Sequence, residues 1–168
     1  NPSYIFLWHT YGLSALKYDK GLLIIKKYLQ GISDEITSIA EEKDGTLWLA
    51  SKHSGLYKMD PFEEYHAGLP YTHFSFDSVY PKELQWVRLY STHEGMLFST
   101  AQGILRYDAE INKFYKDTSL LETDLKNENQ WVYPIVEDRH KNLWLNIVSK
   151  GNVSNKTLVK PYDNQSLK

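Results

Sequence analysis

The sequence contains no cysteine among its 168 residues, so it can build neither a disulfide framework nor a thiolate metal site. It also lacks an excess of either charge. Its 19 basic and 21 acidic residues are interspersed without a basic stripe, which disfavours binding to a nucleic-acid backbone by phosphate neutralisation. No run of 18 apolar residues occurs, and the longest charge-free stretch near the start, residues 1–16, is interrupted by His9, Thr10 and Gly12, so no segment reads as a membrane-spanning helix. No charged leader with a cleavage site is legible. Catalytic signatures are missing as well. The six histidines, His9, His53, His66, His73, His93 and His140, form no pair with metal-binding helix spacing, and neither a nucleophile elbow nor a phosphate-binding glycine loop occurs. The reading is therefore not an enzyme, with no cofactor and no metal. His93-Glu94 has the residue order of a histidine-kinase phosphoacceptor, but it precedes Gly95 in a strand-and-turn context where such chemistry requires a long helix.

What the chain has in abundance is aromatic residues, 14% of the total with 13 Tyr and 5 Trp, a composition that favours strands. They recur in a fixed grammar. The reference copy runs from Gly45 to Asp60: a glycine turn, the apolar strand Leu47-Trp48-Leu49-Ala50-Ser51, a short polar loop, then Gly55-Leu56-Tyr57 opening a second strand. This pattern is one β-hairpin. Copies lie around Trp8, Phe98 and Trp144, so the anchor aromatics Trp8, Trp48, Phe98 and Trp144 recur every 40 to 50 residues. Nine residues before three of them stands a branched apolar residue in a strand-like run, Ile39, Leu89 and Ile135, and the runs themselves span 36–40, 86–90 and 132–136. Outer strands are expected at 22–28, 71–77 and 113–116. Four strands per repeat of this length is the pattern of a β-propeller blade.

The predicted fold is thus all-β, a β-propeller fragment of about three and a half four-stranded antiparallel blades. Residues 1–30 are a first blade without its inner strand, 31–78 a second, 79–120 a third, 121–160 a partial fourth, and 161–168 a loose polar tail. About three and a half blades do not close a ring, so all are expected to be one propeller segment of a longer protein, with open edges that favour self-association.

The pattern Ile36-x-x-Ile39, Glu42-Lys43-Asp44-Gly45-x-Leu47-Trp48-Leu49-Ala50-Ser51, then Gly55-Leu56-Tyr57-x-x-Asp60 resembles the two-component regulator propeller repeat. The later copies match less fully, with Phe98 in place of Trp and Asn142 in place of Gly. The resemblance implies an extracytoplasmic, periplasmic sensor segment of a bacterial histidine kinase, often a hybrid one of Bacteroidetes-type bacteria, that detects an oligosaccharide and passes the signal on through receptor geometry. The remaining blades of the parent chain would be its partners, together with a receptor dimer.

In a propeller, the loops joining the second and third strands share one face with the loops joining successive blades, and function concentrates on such loops. On that face the candidate ligand-binding residues are Tyr11, Lys52, His53, Tyr80, Trp86, Gln102 and Trp131, a ring of stacking surfaces and hydrogen-bonding groups suited to a sugar. The alternative is a structural or protein-interaction scaffold without a small-molecule site, in which Trp86 and Trp131 only pack between blades.

Overall fold

The computed structural model describes residues 4–9, 12–29, 31–32, 34–60, 71–75, 86–101, 103–120, 130–149 and 155–162. All fourteen described elements are strands, and they form four antiparallel sheets in which chain neighbours are also sheet neighbours. The first sheet is β1 (Tyr4–His9), β2 (Gly12–Asp19) and β3 (Leu22–Leu29). In the second are β4 (Ile36–Glu41), β5 (Leu47–Ser51), β6 (Leu56–Met59) and β7 (Thr72–Phe74). The third is made of β8 (Arg88–Thr92), β9 (Gly95–Thr100), β10 (Gly103–Asp108) and β11 (Lys113–Lys116), and the fourth of β12 (Gln130–Glu137), β13 (Leu143–Ser149) and β14 (Asn155–Lys160). These are the sheets of a propeller fragment, as the repeat grammar predicts.

The apolar residues alternate along the strands, so each inner sheet offers two faces to two neighbours. Leu47, Leu49, Tyr57 and Met59 turn to the first sheet and meet Leu13, Phe6 and Trp8, whereas Trp48, Ala50, Leu56 and Phe74 turn to the third sheet. The third sheet in turn sends Leu97 and Ile104 to meet Val132, Ile135, Leu143, Leu145 and Ile147 of the fourth. Trp48 is fully buried, with ring centroids 4.9 Å from Phe98, 5.0 Å from Tyr107 and 5.6 Å from Phe74.

That contact corrects the repeat register. Phe98 is not the counterpart of Trp48 but faces it across the junction. Strand pairing shows why: Ile39 lies opposite Leu49 and Ile135 opposite Leu145, whereas Leu89 lies opposite Phe98. His93 and Glu94 alone make the third sheet's turn between Thr92 and Gly95, where 42–46 and 138–142 make it in the neighbouring sheets. A slip of one residue moves a side chain to the other face, so Leu97, opposite Tyr90, holds the place that Trp48 and Trp144 hold elsewhere. Two smaller differences follow. The strand expected over 86–90 runs instead from Arg88 to Thr92, with Trp86 ahead of it. The residue at the place of Gly45 is Lys141 rather than Asn142: the amide of each donates to the carbonyl three residues back, and both have positive φ, 95° and 65°.

Candidate functional site

At the interblade-loop end of the second sheet, the polar chain between β5 and β6 is short enough that its amides need outside acceptors, and Asp34 supplies them. Its Oδ2 accepts from the backbone N–H of His53 at 2.8 Å and of Ser54 at 2.7 Å, while Oδ1 accepts from the N–H of Glu35 at 2.8 Å. Burial alone would raise the Asp34 pKa, but the His53 and Ser54 amides and the Ser51 and Ser54 hydroxyls overcome it and lower the value from 3.8 to about 2. Glu35 completes the joint. Its carbonyl accepts from the N–H of Lys52, and its carboxylate takes the Lys52 ammonium at 2.9 Å, which raises the lysine's pKa. The His73 ring stacks on Tyr57 at 4.7 Å with Nε2 2.7 Å from the Ser54 carbonyl oxygen.

The loop that joins the second and third strands is thereby tied to the loop that enters the blade, and both lie at one end of the sheet. Of the candidate ligand-binding residues, Lys52 has its ammonium engaged by Glu35, whereas His53 is held through its backbone and leaves its ring exposed. Trp86 is 40% exposed just before β8, and Trp131 is half-buried on β12 opposite Val148. Tyr11, Tyr80 and Gln102 lie outside the described residues. No hydrogen bond or ring contact joins Lys52, His53, Trp86 and Trp131 to one another among the described residues. No group of three or more His, Asp or Glu able to hold a metal occurs there either.

A second polar constellation, at the opposite, hairpin-turn end, escapes the sequence reading. The His93 backbone N–H and ring Nδ1 both reach Glu137 Oε2, at 2.6 Å and 2.8 Å, so the turn of the third sheet docks on the fourth. Glu94 takes Arg106 at 3.1 Å and Lys160 at 2.9 Å, and Arg106 Nε also donates to the buried Asp117 at 2.5 Å. Burial would raise both Asp117 and Glu137. Hydrogen bonds from Ser119 and Arg106 lower the first, and those from His93 lower the second. The His93-Glu94 pair thus serves as an inter-sheet clasp. Its partners are far away in sequence, and only the folded register brings them together.

Comparison with known proteins gives three results. Residues 30–53 match the family model described as two component regulator propeller, which bears out the resemblance on the reference repeat. Among solved structures, the chain is similar to the extracellular domain of a protein assigned as a hybrid two component system from B. thetaiotaomicron, with TM-score 0.58, 18% identity, and coverage of 86% of this chain and 18% of that one. It is similar, at TM-score 0.57 with the same identity and coverage, to the extracellular domain of a protein from that organism assigned as a one component system. The chain thus spans 18% of the length of these structures, and at this identity the likeness establishes a shared fold. No curated protein sequence matches the chain.

Proposed function

We propose that this chain is an extracytoplasmic sensor segment of a two-component histidine kinase, periplasmic in location, and that it recognises an oligosaccharide. The observation that carries the reading is the family match over residues 30–53, which falls on the repeat whose loops are joined through Asp34. The exposed Trp86 and the His53 ring at the loop end supply a stacking surface and a polar edge, the pair of features that sugar binding requires. The segment recognises and does not catalyse; phosphoryl chemistry belongs to other parts of the parent receptor. Ligand binding acts by favouring one arrangement of paired receptors over another, since a ligand shifts only an equilibrium between states for which its affinities differ. Further blades of the parent chain cover the outer faces of the first and fourth sheets, where Ile5, Leu7, Val136 and Trp144 are now about half exposed.

One observation favours a scaffold instead. The loop end already uses Asp34, Glu35 and Lys52 internally. A thermal-shift screen of the intact ectodomain against an oligosaccharide panel separates the readings. A ligand at a hundred times its dissociation constant stabilises by about 2.7 kcal/mol, so sensing predicts a clear shift with one glycan class, and a scaffold predicts none.

A further inference from the structure

The junction between the second and third sheets and that between the third and fourth have the same parts but different filling. At the first, Trp48 occupies the turn-side interior among Phe74, Phe98, Tyr107 and Phe114. At the second, Leu97 stands in its place. The first junction has a recess of about 190 Å3 beside Lys43 and Met96, and the second a cleft of about 750 Å3.

The cleft wall carries four permanent cations, Lys43, Arg106, Lys141 and Lys160, against the single carboxylate of Glu94. Glu94 is already satisfied by Arg106 and Lys160, with His93 Nε2 3.7 Å away. Asp117 and Glu137 do not line the cleft and are bound to Arg106 and His93, and the charge of Glu137 also attracts Lys141. Two ammonium groups remain without an ion pair among the described residues. Lys43 Nζ donates to the His93 carbonyl at 2.9 Å, and Lys141 Nζ lies 4.9 Å over the Tyr162 ring. Lys141 keeps this place despite a positive φ of 65°, a conformation that lysine adopts at a cost and that glycine holds in the second repeat. Tyr115, 49% exposed, adds an aromatic face to the same cleft.

We propose that this cleft binds an acidic saccharide, with its carboxylate or sulfate group held by Lys43 and Lys141 and its ring laid against Tyr115. A carboxylate or sulfate accepts charge-assisted hydrogen bonds from both lysines, and the aromatic face takes the apolar side of the sugar. This assignment rests on the saccharide-sensing reading and adds the charge class of the ligand and a second locus at the opposite end from the loop-face candidates.

The test is calorimetric titration of the full chain with an oligogalacturonate, a sulfated disaccharide and a neutral cello-oligosaccharide, each at low and high salt. The uronate and sulfate probes tell the two sources of the anion apart. The expected result is binding of at least one acidic probe that weakens with salt. In Lys43→Ala/Lys141→Ala that affinity falls about tenfold or more, as for lost charge-assisted hydrogen bonds, while urea unfolding stays cooperative and shows the protein folded under the titration conditions; Lys141→Arg retains binding. Unchanged affinity in the double variant overturns the site, as does failure of both acidic probes to bind. If the neutral probe alone binds, the saccharide-sensing reading survives and this cleft assignment falls.

Discussion

Trp48 and Trp144 occupy equivalent places in their hairpins and differ in what lies beyond them. Each indole N–H donates to a carboxylate six residues earlier, Trp48 to Glu42 at 2.5 Å and Trp144 to Asp138 at 3.1 Å. Trp48 is enclosed by the third sheet, whereas Trp144 is 44% exposed on the outer face of the fourth. In the isolated chain, Trp48→Ala should therefore cost about 3 to 5 kcal/mol by the large-to-small core penalty, and Trp144→Ala less than about 1 kcal/mol, as for a surface substitution; urea unfolding measures both. Equal losses would contradict the assigned faces. The identity of Trp48 as a core ring is legible from the sequence, because a ring in an apolar strand after a turn recurs, at Trp48, Phe98 and Trp144. The facing of Phe98 is not, because a turn shorter than its neighbours moves the ring to the other face while keeping the nine-residue spacing to Leu89.

At the scale of elements, the strands are legible because alternation and turn residues are local signals, and the inner three strands of the second repeat lie close to where the pattern puts them. The joints between elements are not legible. Asp34 holds the β5–β6 loop across a separation of about twenty residues, and the His93–Glu137 and Glu94–Lys160 contacts cross from one sheet to the next. Nothing local in the sequence marks an acidic residue as the acceptor for a remote loop. The Asp34 joint makes a pH prediction. Its folded pKa of about 2 lies below the ordinary 3.8, so its contribution is fully present above about pH 4 and is lost as pH falls through 2. Asp34→Asn should be less stable than the parent by about 1 kcal/mol at neutral pH, a figure held low by solvent screening. It should also lose less stability between pH 4 and pH 2. Parallel acid profiles for the two proteins, followed by urea midpoints, would contradict the assignment.

At the scale of the whole molecule, three junctions repeat one rule: the face carrying Trp8, Trp48 or Leu97 packs on the preceding-facing side of the next sheet. The fourth sheet presents the same kind of face, with Val136, Trp144 and Val159 exposed, and the first presents Ile5 and Leu7. This rule explains why composition and repeat spacing are enough to read the propeller class, since every blade buries itself only against its neighbours. The proposed binding residues are a different matter. They lie on loops and at junctions whose side chains the repeat does not dictate.

Recognition of a saccharide at the interblade-loop end, as proposed, is tested by titrating the stabilising oligosaccharide into the intact ectodomain carrying Trp86→Ala. Loss of the stacking face predicts an affinity lower by about tenfold, near the upper range for an aromatic contact, with an unchanged urea midpoint. An affinity equal to that of the parent would contradict recognition at this end of the propeller.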